Sequence, residues 1–401
     1  MRSVAVAALL CAELFTTDAC VAGRGGSDAA LVGPREALTA PNDGAFEPFG
    51  PSLVIAQQED ESSSNPLDSE RAAQPSAATP ASAAAYTKQG DHDAKQRDFD
   101  RAIAAYDKAI AIDPTFALAY ARRGRADILK GESRGRMSKG ESERAFTDCQ
   151  RAIDLDPKLA RAYSCRSLVY LWMGDLDRVI ADAEKAMELD PKFAGPYNNH
   201  GVAYMRKGDL DRSLADYNRA IELNPKFATP YANRGVIFEK KGHFDLAIAE
   251  FNKAIAIDPR YEFAYNRRGI AYEEKGDLDR ALADFNKAIE LVPDAAYAYS
   301  NRGGIYLKKR DFDLAIADDD KAVELNPRYA EAYAGRSAAY LMKSDQGRAL
   351  ADLRRAIELN PKKACTYLKV DLDRATIEFS KAIQRDSQLA LAYRGCGFIY
   401  G

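Results

Sequence analysis

The chain has 401 residues, with 57 Lys and Arg against 60 Asp and Glu. That length exceeds one compact core but suits a repeat array or two domains, and the near balance of charge argues against a general nucleic-acid binder, which needs a basic face. No stretch reaches the roughly 18 apolar residues of a membrane helix; the six cysteines and three histidines, His92, His200 and His243, form no CxxC or Cys/His cluster, so neither a metal site nor a cofactor is expected.

Residues 1–22 read MRSVAVAALLCAELFTTDACVA. Arg2, the apolar run from Val4 to Leu10 and the small residues ending at Ala22 resemble a secretory signal peptide cut before Gly23. Glu13 interrupts the apolar run, and Cys20 as a lipid-modified residue is a second reading. A periplasmic or secreted protein is expected, with a cytoplasmic one as the alternative. Residues 23–82 are rich in Ala, Pro, Ser, Asp and Glu and carry no sustained period, so they cannot bury enough apolar surface to offset their ordering entropy. They are expected to form a disordered tether, with Leu53 to Ala56 its one short apolar patch.

From residue 83 the chain repeats itself. Pro157, Pro191, Pro225, Pro259, Pro293, Pro327 and Pro361 recur at a spacing of 34, preceded by Pro114. A fixed period of this size means stacked supersecondary units. In the unit that begins at Glu262, Tyr265, Gly269 and Tyr272 occupy places four, eight and eleven, on one helix face. Gly276 breaks the helix and Asp277 caps the next. Ala281, Phe285 and Ala288 share a face of the second helix, and Pro293 ends it. Small Gly269 and Ala281 permit close helix contact.

This pattern resembles the tetratricopeptide repeat family over roughly the last four-fifths of the chain. The resemblance implies an all-α fold, a right-handed superhelical solenoid of antiparallel helix pairs. It also implies a concave groove lined by the first helix of each pair, and binding of a protein or peptide there. Residues 83–361 hold eight such units; residues 362–401 hold a shortened ninth and half of a tenth. The first unit keeps Tyr86, Gly90, Ala102, Tyr106, Ala109 and Pro114 but has Asp93 at place eleven, and its first helix is expected to fray first. The second unit carries nine extra residues, expected as a basic loop from Gly131 to Gly140 with Arg134, Arg136 and Lys139.

Place seven holds Arg123, Arg166, His200, Arg234, Arg268, Arg302 and Arg336. Place twenty-three holds Asp148, Asp182, Asp216, Glu250, Asp284, Asp318 and Asp352. The first unit has Gln89 and Ala105 and so lacks both partners together. The joint absence points to facing positions and a ladder of ion pairs between helices; an anion track is the competing reading, weakened by the high cost of unpaired buried charge.

By the resemblance, places two, five, six and nine of the first helix face the ligand. They supply Asn198, Asn199, Asn233, Asn266, Arg267 and Asn301 as candidate contacts, beside an apolar floor of Leu168, Val202, Val236 and Ile270. Amides can bond both N–H and C=O of an extended peptide; the alternative is that they bond neighbouring groups of the array. The Lys and Asn set that clamps acidic chaperone tails in some members is incomplete, so that ligand is not expected.

No phosphate-binding glycine loop or strand pattern exists in the repeats, and no enzymatic activity is expected. Asp318, Asp319 and Asp320 are consecutive helical residues that point apart, expected as a solvated face plus one rung. Trp172 is read as a groove-edge contact or as packing on the following turn. Cys149 and Cys165 are close enough in sequence to be neighbours in adjacent units, and could pair if the chain is exported.

Residues 362–387 contain neither Gly nor Pro. One continuous helix from Ala364 to Arg385, about 22 residues or roughly 33 Å, is expected in place of a helix pair, with a turn at Val370–Asp371 as the alternative. Leu391, Tyr393, Phe398, Ile399 and Tyr400 then leave an apolar end suited to self-association. The expected function is a scaffold that binds a partner polypeptide, in a bacterial cell envelope if the leader is real. A cytosolic assembly module, or a regulatory array for an enzyme on another chain, are the alternatives.

Overall fold

The computed structural model describes residues 82–133 and 137–363. The leader, the tether, Arg134 and Arg136, the shortened ninth repeat and the C-terminal segment lie outside the described residues. Among the described residues sixteen α-helices form eight antiparallel pairs, followed by a 3₁₀ turn at Pro361–Lys363. The first four pairs are α1 (Ala83–Lys95) with α2 (Phe99–Ile112), α3 (Ala117–Ser133) with α4 (Lys139–Leu155), α5 (Ala160–Met173) with α6 (Leu176–Leu189), and α7 (Ala194–Lys207) with α8 (Leu210–Leu223). The last four are α9 (Ala228–Lys240) with α10 (Phe244–Ile257), α11 (Glu262–Glu274) with α12 (Leu278–Leu291), α13 (Ala296–Lys308) with α14 (Phe312–Leu325), and α15 (Ala330–Met342) with α16 (Gln346–Leu359). No strand occurs among the described residues.

Each pair is set by local chemistry repeated at fixed places. Gly276 takes a left-handed φ of 80° and stops α11. Asp277 follows, and its Oδ1 accepts from the Arg280 N–H at 3.1 Å to cap α12. Asp98, Asp175, Asp209, Asp311 and Asp345 cap the corresponding second helices in the same way. At the other end of the unit, the place-four Tyr hydroxyl donates to the carbonyl of the preceding proline, as in Tyr163 to Pro157 at 3.2 Å and Tyr231 to Pro225 at 3.3 Å.

The core lies between the two helices of a pair and under the next. Tyr217, Phe251 and Phe285 are fully buried. Phe285 explains the glycine opposite it: a Cβ at Gly269 would stand 2.7 Å from its Cε1, a distance no packed core tolerates. Consecutive first helices touch one another as well as the second helix between them, whereas consecutive second helices do not make comparable contact. The stack therefore curves with the first helices inside, and they line its concave face.

The second unit departs from expectation. Its nine extra residues are not all a loop from Gly131 to Gly140: six or seven of them lengthen the two helices, to 17 residues each against 13 or 14 elsewhere. Gly131 and Lys139 are both helical. Ser138 sets the start of α4 through a capping box, its hydroxyl accepting from the Glu141 N–H while the Glu141 carboxylate accepts from the Ser138 N–H at 2.9 Å.

Candidate protein-binding site

The ladder inferred from the sequence is present on every expected rung. Arg166 binds Asp182 through Nε and Nη2 at 2.8 and 2.7 Å. Arg123–Asp148, Arg268–Asp284, Arg302–Asp318 and Arg336–Asp352 repeat the same two-point grip. Arg234 places both nitrogens on Glu250 Oε2, leaving Oε1 to Lys253 at 2.8 Å. His200 Nδ1 meets Asp216 at 2.8 Å. The hydrogen bonds they donate to Asp148 and Asp352 hold the Arg123 and Arg336 guanidiniums firmly protonated.

Each arginine does one thing more than the sequence showed. Its remaining nitrogen crosses to the second helix of the preceding unit: Arg166 to Gln150, Arg234 to Asn218 and Arg268 to Asn252, all at 2.6 Å, and Arg302 to Asn286 at 2.7 Å. The guanidinium also lies over the place-four tyrosine, 5.4 Å from the ring centroid for Arg268 over Tyr265. The rung thus ties three helices together, and its cations are saturated. That occupancy excludes the anion-track reading.

The acid run follows the same logic rather than forming a solvated face. Asp318 is the rung to Arg302, and Asp320 accepts from Arg336 Nη1 at 2.6 Å. Asp319 is 1% exposed, bonded by the Ser300 hydroxyl at 2.9 Å, at a place where Tyr217, Phe251 and Phe285 sit in other units. Burial raises its carboxyl well above the ordinary range.

On the concave face, the candidate amides bond mainly to one another. Asn233 Nδ2 donates to Asn198 Oδ1 at 3.0 Å, and Asn301 Nδ2 donates to Asn266 Oδ1 at 2.9 Å. Asn199 Nδ2 donates to the Ser167 hydroxyl at 2.9 Å. Asn198, Asn199, Asn233 and Asn266 are at most 1% exposed, so they join adjacent first helices; Asn301 and Arg267 remain half-buried. Arg267 bonds Glu239 at 2.6 Å, and burial raises the Glu239 carboxyl above its ordinary value even so. Burial pushes the Arg206 guanidinium down to about 10 while its Nη1 donates to the Leu171 carbonyl at 2.7 Å. Trp172, half-buried against the core, has an indole N–H with no hydrogen-bond partner. Leu168, Val202 and Val236 are fully buried floor.

No group of His, Cys, Asp and Glu with metal-binding geometry exists among the described residues, and no described helix is long and apolar enough to cross a membrane. A curved stack of paired helices tied by a ladder of ion pairs, with a polar and aromatic inner face, defines a helical-repeat interaction scaffold. Tetratricopeptide repeat models match residues 83–116, 203–242, 240–276 and 266–327. These stretches are tetratricopeptide repeats, a family that typically acts as non-catalytic protein–protein interaction modules.

Among solved structures, the chain is similar to one from the Cut9–Hcn1 hetero-tetramer of the APC/C, with 19% identity and a TM-score of 0.63. The match covers 73% of this chain and 56% of that one, and the likeness is one of fold. Pseudomonas aeruginosa pilF is 16% identical over 54% of this chain and 98% of its own, with a TM-score of 0.48. YrrB, described as a TPR protein with an unusual peptide-binding site, is 25% identical over 48% of this chain and 96% of its own, with a TM-score of 0.37. No curated protein matches the sequence.

Proposed function

We propose that the concave face binds an extended segment of a partner polypeptide, and that the protein is an exported scaffold of a bacterial cell envelope. The observation that carries the binding reading is the curvature: successive first helices touch, so equivalent side chains form continuous rows along the inner face. Arg267, Asn301 and Trp172 are the half-buried polar and aromatic groups on those rows, and Trp and Arg are the residue types that anchor interfaces. The fully buried amides set the spacing of the helices that present them.

Export is supported by the leader and by the disulfide between Cys149 of α4 and Cys165 of α5, since such bonds persist in oxidising compartments. A pull-down of bound protein from the source cells tests the binding reading. It uses the full chain, then Trp172→Ala with Arg267→Ala, then Asn199, Asn233 and Asn301 all changed to Ala. Loss of the recovered partner in both variants is expected. Undiminished recovery by both, with the helical content retained, removes the concave face from the interaction. Detection of a mature N-terminus at Gly23 tests export, and an intact Met1 on the cellular protein overturns it.

A further inference from the structure

Helix neighbours in a solenoid are adjacent units, so a contact four units apart needs a cause. Arg97 lies in the turn between α1 and α2; its Nη1 reaches Asp258 Oδ2, in the connection between α10 and α11, at 4.0 Å. Both side chains are largely shielded, at 24% and 13% exposure. The Arg97 charge also acts on Glu262, at the start of α11. Glu262 is 8% exposed and its Oε1 has no hydrogen-bond partner.

Arg97 sits at a left-handed φ of 63°, as Arg310 and Ser344 do at the same place of their units, where Gly174, Gly208, Gly242 and Gly276 serve elsewhere. Independently, Glu132 in the last turn of the lengthened α3 is close enough to act on Arg206 of α7 and on the Tyr261 hydroxyl beside α11. The extra residues of the second unit are what carry α3 as far as Glu132.

We infer that the first two units close over the concave face onto the fourth and fifth, with Arg97 latched to Asp258, so that the inner face is a gated channel rather than an open groove. The latch is electrostatic: none of the helix pairs it spans is extensively packed together. It therefore opens without loss of any helix pair, by salt or by neutralising Arg97. The inference stands independently of what occupies the face.

The test is a distance distribution in the full chain between spin labels carried on bio-orthogonal residues at exposed Gln96 and Ala256. In low salt the wild type should give one narrow distance. Arg97→Gly keeps a residue suited to the turn, so the protein folds, and it should shift the distribution to longer and broader values, as should high salt on the wild type. Asp258→Asn retains the oxygen that caps the Arg260 N–H at 2.9 Å and should give a smaller shift. A shift with Arg97→Gly and none with Asp258→Asn overturns Asp258 as the partner in the latch. A distribution unchanged by Arg97→Gly, with unchanged helical content, overturns it.

Discussion

Arg268 grips Asp284 with two hydrogen bonds, 2.8 and 2.6 Å long, and reaches with its third nitrogen to Asn252 of the preceding unit at 2.6 Å. Removing one partner leaves the other charged in a poorly hydrated site, so Arg268→Met or Asp284→Leu should each cost about 3 kcal/mol. The double variant should cost less than the two together by more than about 0.5 kcal/mol. Protection of α11 and α12 amides by native-state hydrogen exchange is the measurement, because a repeat array unfolds in parts. Strict additivity would show that the side chains are not coupled.

The rung at His200 is the incomplete one. It makes one 2.8 Å contact with Asp216 and stands 3.8 Å from Glu184, the place where the arginines make their third bond. His200→Arg should gain a second bond to Asp216 and a direct one to Glu184, stabilising the array locally by about 1 kcal/mol. Denaturant midpoints of the two proteins, compared at one pH, check this; a lower midpoint for the variant refutes it.

The ladder was legible in the sequence because its partners vanish together in the first unit, at Gln89 and Ala105. Capping was legible for the same reason: the Gly–Asp pair at 276–277 recurs. What one unit's sequence does not carry is its neighbour's geometry. The amides at places five and six were expected as ligand contacts beside an apolar floor; Asn233 on Asn198 and Asn301 on Asn266 join adjacent first helices instead. The third nitrogen of each arginine was hidden likewise. The helical extension in the second unit had a readable signal, the Ser138–Glu141 capping box, but Gly131 and Gly140 drew the reading to a loop. A lone glycine costs a helix only about 1 kcal/mol, which the flanking helix formers offset. Closure across four units depends on curvature and has no sequence signature.

The disulfide joins adjacent units through a buried site, Cys149 from α4 and Cys165 from α5, sixteen residues apart. Closing a loop of that size limits the unfolded chain, and replacing both cysteines by Ala should cost about 3 kcal/mol. The loss should be local, raising exchange of α4 and α5 amides while units from α11 onward stay protected. Equal protection throughout the array in both proteins would show that the bond contributes nothing to this joint.

Glu262 gives the array a pH dependence of definite sign. Place one is Ala in every other unit: Ala83, Ala117, Ala160, Ala194, Ala228, Ala296 and Ala330. In those units the alanine leaves room for a bulky neighbour, as Ala160 packs with Phe193 and Ala194 with Phe227. In this unit the residue at that place is Ala295, which leaves room for the larger Glu262 side chain. Burial pushes its carboxyl from 4.5 up to about 7, against the smaller opposing effects of the Tyr297 hydroxyl beside it and of Arg97. The folded state therefore holds a proton that the unfolded chain releases. The stability tied to that proton is fully present below about pH 4.5, is lost as pH rises towards 7, and changes little beyond. The full span amounts to about 3 kcal/mol. Protection of α11 and α13 amides, corrected for intrinsic exchange, should fall between pH 5.5 and 8 in the wild type. Glu262→Gln keeps the shape without the titration; it should stay near the acid value across the range. Glu262→Ala should be weaker at every pH, through the cavity beside Ala295, and equally flat. A wild-type profile as flat as that of Glu262→Gln would mean the carboxyl is already ionised in the fold, and Glu262 would then be a charge held by Arg97 and not a titrating joint.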